Sequence, residues 1–297
     1  MNLDDNQIGI RSLFSLLLAH PMQSLSIEQS VRRNWTEDEV TLALVLYVQM
    51  SSGQYTHGNP YVIKLAQQID RTPNAVALKL SNLMRLDPKH ARKGVSGMSH
   101  GSKIDEAVWH RYIGDDPQTA DLTRLFDAAE RIGEEKGISE DVYVPGFKSI
   151  KVPDPMAKTE RFYLAKTRLH QDMFRNAVLS SYGWKCAITG LSERSLVEAA
   201  HIRPWKDSSE MRLQPSNGIA LSVTMHRAFD KNLLGISPDM KCEFSRELLR
   251  SVAEGSAAAE FLAQLNHQSL QMPEKFQPNR DFLSERYQEY LNTERNR

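Results

Sequence analysis

The chain has 297 residues, with 37 basic and 37 acidic side chains, so its formal net charge is zero; 40% of the residues are hydrophobic and 25% are charged. The length exceeds one comfortable hydrophobic core and leads us to expect two domains, and the composition is that of an ordinary soluble globular protein. Balanced charge excludes a globally basic nucleic-acid binder, and two cysteines, Cys186 and Cys242, exclude a disulfide framework and suit a cytoplasmic setting.

Residues 1–32 read as an appended helical arm. Its apolar stretch Ser12–Ala19, with Leu13, Leu16, Leu17 and Leu18, is too short to span a bilayer, and Asp4 and Asp5 are wrong for a secretion signal, so no membrane partner is expected. Residues 33–114 read as a helical module. Thr36 followed by Glu39 is a capping box that announces a helix whose buried side is Val40, Leu42, Leu44, Val45, Tyr47 and Val48. Val62, Leu65, Ala66 and Ile69 then mark a short amphipathic helix, Asp70–Asn74 a turn, and Thr72 with Pro73 the start of a second helix that buries Val76, Leu80 and Leu83. Two short helices joined by a tight polar turn match a helix-turn-helix plan, with Lys79, Asn82 and Arg85 of the second helix as candidate DNA contacts. The basic, glycine-rich run after Pro88 suits a loop lying on a phosphate backbone, and a helix follows from Ile104 to Ile113.

Residues 115–160 read as a connector, with a charged helix from Leu122 to Gly137 and an extended stretch punctuated by Pro145, Gly146, Pro153 and Pro155. The helical period returns from Thr159 to Tyr182 with Phe162, Leu164, Leu169, Phe174, Val178 and Leu179 on one side. In the C-terminal region 161–297, Cys186–Thr189 and Leu196–Ile202 read as two strands, with Gly190 near the first turn. Asn217–His226 runs into a helix around Arg227–Asn232, and a last helix covers Arg280–Leu291. Basic excess is concentrated from Arg71 to Arg111 and from Lys151 to Lys231, two patches suited to touching phosphates.

Within the second patch stand three segments, AHIRPW, PSNGIAL and MHRAFD. They place His201, Asn217 and His226 in order with fifteen and then eight intervening residues. A lone histidine in a strand is far more often structural than catalytic, and Asn before Gly is usually a turn; the joint pattern carries the weight. It resembles the HNH endonucleases, in the subgroup written with an Ala-His-Ile segment. Residues 160–290 resemble that family well, and 33–113 more loosely resemble the helical module seen beside such nucleases.

The resemblance implies an α+β protein: a mainly helical, helix-turn-helix-like N-terminal module followed by a ββα-metal nuclease core with flanking helices. It implies hydrolysis of phosphodiester bonds in double-stranded DNA, with a homodimer supplying one site per strand and a bacterial restriction or defence role. A nicking or homing-type enzyme, a regulator with a decayed core, and RNA cleavage are the rivals. His201 is the expected general base, a neutral imidazole near pH 7 that can take a proton from water. A divalent metal, Mg²⁺ first with Mn²⁺ or Ni²⁺ as substitutes, would be held by His226, by Asn217 unless it clamps the loop instead, and by Glu198. The last is needed because Ala200 stands where many relatives carry a metal-binding Asp or His; Asp230 is a spare carboxylate. Arg203, Lys206 and Arg227 are expected to grip non-scissile phosphates. Relatives often hold a structural zinc through paired cysteines, but Thr189 replaces one of them here and no structural zinc is expected.

Overall fold

Thr36 and Glu39 cap each other. The Thr36 hydroxyl accepts the Glu39 amide at 3.3 Å, and the Glu39 carboxylate accepts the Thr36 amide at 3.0 Å, which satisfies donors that a helix start otherwise leaves open. The computed structural model describes residues 33–91, 102–147, 158–204 and 211–297. The arm 1–32, most of the glycine-rich basic run, the stretch 148–157 and Lys206 lie outside the described residues.

The cap opens α1 (Glu37–Gln49), in which 11 of 13 residues are buried. Sequence periodicity gave it one buried side; in the structure it is enclosed all round, because α3 (Pro73–Leu86), α4 (Lys103–Tyr112), α5 (Thr123–Lys136) and α6 (Lys158–Ser181) all pack on it. Helix α2 (Pro60–Gln68) pairs with α3 across the turn at Asp70–Thr72. Thr72 accepts the Ala75 amide at 3.2 Å and Pro73 occupies the first helical position, where its missing N–H costs nothing. Val76, Leu80 and Leu83 are fully buried, as the spacing predicts. Gly137 ends α5 in the left-handed conformation that glycine adopts without strain.

The chain is mixed helix and sheet, with the described strands in two small antiparallel pairs. β1 (Val197–His201) pairs with β2 (Gly218–Ser222), Ala199 opposite Ala220 and His201 opposite Gly218. This corrects the strand assignment made from sequence. Cys186–Thr189 is a turn held to β2 by the Ala187 amide on the Ala220 carbonyl at 2.8 Å, and the strand partner is the Gly218–Ser222 run. Every residue of β2 is buried, so its sequence lacks the alternation that marks a half-exposed strand. β2 passes without a loop into α7 (Val223–Asp230), capped by Ser222. β3 (Leu234–Ile236) pairs with β4 (Cys242–Phe244), and Tyr290 of α8 (Arg280–Arg295) lies over Gly235, where any Cβ would clash with its ring. Among the described residues no helix is long and apolar enough to cross a membrane.

Residues 34–297 form one compact unit, and a C-terminal lysine helps close it. The fully buried Lys275 amino group, whose pKa burial lowers to about 7, donates to the carbonyls of Tyr47 (2.6 Å), Val48 (3.4 Å) and Met50 at the end of α1, and sits over the Tyr47 ring at 4.8 Å. These carbonyls have no partner further along the helix, and a cation at a helix C-terminus is favoured by the backbone dipoles. Lys275→Met keeps most of the volume but removes a donor shared by the three carbonyls and leaves them the Tyr55 and Ser180 hydroxyls, so denaturant unfolding should show a loss of about 1–2 kcal/mol in stability; a loss within error would mean the amine is incidental.

Candidate active site

His201 ends β1 with its imidazole flat against the ring of Phe174 from α6, centroids 4.2 Å apart and planes 12° from parallel. Its Nε2 lies 3.2 Å from the carbonyl oxygen of Arg212. A carbonyl only accepts, so Nε2 carries the proton and Nδ1 is the basic nitrogen of the neutral ring. Burial lowers the basicity of His201; the Arg212 carbonyl and Asp230 oppose this and the nearby His226 adds to it. The ring therefore stays neutral to lower pH than an ordinary histidine.

Asn217 is 2% exposed and bonded on both sides of its amide. Its oxygen accepts the Arg203 backbone N–H at 2.8 Å, and its nitrogen donates to the carbonyls of Arg203 (3.4 Å) and Met211 (3.3 Å). The Ile202 amide adds a bond to the Asn217 carbonyl at 2.9 Å. These contacts pin both ends of the loop that carries Arg212, and so set the carbonyl that orients His201. Of the two places left open for Asn217, these bonds are those of the clamp. Gly218 next to it is required by close packing, since a Cβ would collide with Val178 and come within 3.0 Å of Phe174.

His226 lies on α7, its Nδ1 2.7 Å from the Glu198 carboxylate of β1 and its Nε2 3.6 Å from Asp230, one turn further along the helix. Glu198 therefore engages the outer nitrogen of His226, the arrangement in which a carboxylate fixes a ligating histidine's tautomer and aims its other nitrogen. The Glu198 side chain is 46% exposed and only Oε2 meets the imidazole. Asp230 faces Nε2 and is close enough to influence His201. Nitrogen and carboxylate donors of this kind suit a divalent cation. Ala200 is fully buried in the core, so nothing at that position offers a ligand atom.

The basic residues divide. Arg227 is exposed on α7 beside His226. Arg203 is committed elsewhere: its guanidinium forks onto both oxygens of Glu285, with Nε to Oε2 at 2.7 Å, and stacks on Phe282 at 4.1 Å, tying α8 to the hairpin. Lys79 is corrected more firmly, being 4% exposed, ion-paired with Asp105 of α4 and set over the Trp35 ring; a buried, paired ammonium does not meet a phosphate. Asn82 is half-buried on α3, and Arg85 is half-buried 3.6 Å from Glu106. Phe174 and the Arg212 carbonyl were not foreseen, because an apolar helix position reads as core and a backbone oxygen leaves no mark on the sequence. Asp230 carried a readable signal, its spacing of one helical turn from His226. Cys186 is buried, its sulfur accepting the Thr189 amide at 3.4 Å within the turn.

A strand ending in a histidine, paired with a strand that runs directly into a helix bearing a second histidine, defines a hairpin-and-helix cradle of the kind that hydrolyses phosphodiesters. Residues 186–237 match the family model described as HNH endonuclease, and this part of the chain is an HNH endonuclease domain. Such a domain marks a nuclease acting on nucleic acid, and HNH nucleases in general use a divalent metal. No curated protein matches the chain.

Asn217→Ala should remove the clamp at a cost of about 1–3 kcal/mol, the range for leaving buried backbone groups unpaired, and should depress cleavage beyond what the loss of folded protein explains. Unfolding curves and cleavage rates measured on the same preparation check this; normal specific activity of the folded fraction would remove Asn217 from the positioning of His201.

Proposed function

We propose that the protein is a metal-dependent endonuclease of double-stranded DNA in which His201 is the general base. The observation that carries the reading is the His201 imidazole itself, stacked on Phe174 and tautomerically fixed by the Arg212 carbonyl, within reach of the charges of His226 and Asp230. Nδ1 of His201 takes a proton from the attacking water, which the buried ring can do near neutral pH because it is not already protonated. His226, aimed by Glu198, and Asp230 would hold the cation, with Mg²⁺ as the first choice and Mn²⁺ or Ni²⁺ as substitutes. The cation supplies positive charge to the scissile phosphate and the departing oxygen. Arg227 offers a charge to a neighbouring phosphate.

DNA as the polymer is supported by the paired helices α2 and α3, whose polar turn and exposed Asn74 fit a helix-turn-helix reader. One site per chain suggests a homodimer for cutting both strands. A restriction or defence role follows by analogy of architecture, and cleavage of DNAs of defined methylation would separate it from a nicking or homing activity.

Supercoiled plasmid incubated with Mg²⁺, Mn²⁺ or Ni²⁺ should be cut by the wild-type chain. His201→Ala should cut about 10²–10⁴-fold more slowly, the range for loss of a general base, while DNA binding in a mobility-shift assay persists. Metal-dependent cutting that survives His201→Ala would overturn the assignment.

The pH profile gives a second check. With burial lowering its basicity, His201 remains in the proton-accepting form below the ordinary histidine value of 6.5. The acid limb of kcat/KM should accordingly fall below that pH, and the limb should vanish from whatever residual activity His201→Ala retains. A limb at or above 6.5 contradicts the environment described for the ring.

A further inference from the structure

The packing of α6 on α5, away from the hairpin, brings together Asp127 and Glu130 of α5 and His170 of α6, whose ligand atoms all lie within 4.8 Å of one another. Asp127 and Glu130 are spaced to share one face of their helix. The His170 side chain is only 10% exposed, and its Nε2 points between the two carboxylates, 3.6 Å from Asp127 Oδ1 and 3.8 Å from Glu130 Oε2. Both distances are too long for hydrogen bonds. His170 Nε2 is a buried atom without a hydrogen-bond partner among the described residues. A cation already visits the cluster: the Lys166 ammonium, one turn before His170, lies 2.9 Å from Asp127 Oδ1 and 3.2 Å from Glu130 Oε2.

We propose that Asp127, Glu130 and His170 form a second divalent-metal site, separate from the nuclease centre, at which the Lys166 ammonium stands in for the ion. The lysine balances the carboxylate charge but gives the imidazole nothing to bond. A metal ion accepts a lone pair from all three side chains at once, and one nitrogen with two carboxylate oxygens is a donor set that zinc or another first-row transition ion takes. The Lys166 side chain is 37% exposed and can swing to solvent. Beside it opens a cavity of about 360 Å³ lined in part by Glu130, Gly133, Tyr143 and Lys166, through which an ion can enter. His170 stands one turn before Phe174, so an ion clamping α6 to α5 also steadies the ring on which His201 is stacked.

The test is zinc titration of the full-length chain by isothermal calorimetry in a His226→Ala background, which removes the histidine assigned to the nuclease centre. One zinc ion per chain is expected. Adding His170→Gln should weaken binding by more than about tenfold, the loss that outer partners of a metal site alone can cause, and adding Lys166→Met should tighten it by removing the competing cation. Zinc should also raise the melting temperature of the His226→Ala chain and leave that of the His170→Gln double variant unmoved. Should His170→Gln fail to fold by circular dichroism, Asp127→Asn, altering an exposed carboxylate, replaces it with the same expectation. Absence of zinc binding, binding unchanged by both ligand substitutions, or a Lys166→Met chain that binds no more tightly would each overturn the proposal.

Discussion

The geometry of the nuclease centre depends on one side-chain amide sealed from solvent. Asn217 bonds the backbone on both sides of the loop between the strands, at Arg203 and at Met211, and its own carbonyl takes the Ile202 amide. A loop of this length has many conformations, and closing it costs entropy that the flanking strands alone do not recover. Four bonds from one residue hold Arg203 and Met211 where the Arg212 carbonyl meets His201. Removing the amide would leave backbone donors and acceptors buried and unpaired, which is why its effect reaches an imidazole it does not touch.

A second constraint acts from the opposite side of the imidazole. Phe174 reaches His201 only because Gly218 lacks a side chain, allowing α6 to approach β2 to contact distance. The Asn-Gly pair thus does two unrelated things: the first residue organises the loop, and the second admits the helix. Glu198, crossing from β1 to His226 on α7, ties the strand and helix that carry the two histidines. Each catalytic candidate is held by a partner on a different element, the arrangement that keeps a site in register without substrate.

Local signals in the sequence were good guides and long-range ones were not. The capping box at Thr36, the Thr72–Pro73 start and the Gly137 stop are decided within a few residues, and the structure has each. The order and spacing of His201, Asn217 and His226 likewise pointed to the family that residues 186–237 match. Strand β2 escaped because a run buried on both faces shows no period of two. Lys79 is paired with Asp105 of another helix and Arg203 with Glu285 far along the chain, partners that no local stretch of sequence displays. Charge on a helix face says nothing about which charges the fold has already neutralised. The same blindness covers the tautomer of His201, which a main-chain oxygen decides.

Enclosure of α1 on every side bears on how this architecture can be re-engineered. Nucleases are often treated as cassettes, a reader joined to a cutter and exchanged at will. Here α1, at the centre of the N-terminal helices, is wrapped by α6, which also backs the β1–β2 hairpin, and its last carbonyls are held by a lysine from beyond that hairpin. Separating the N-terminal helices from the hairpin would expose apolar surface on both fragments, so an architecture of this kind is altered by exchanging side chains on its outer helices and not by transplanting halves.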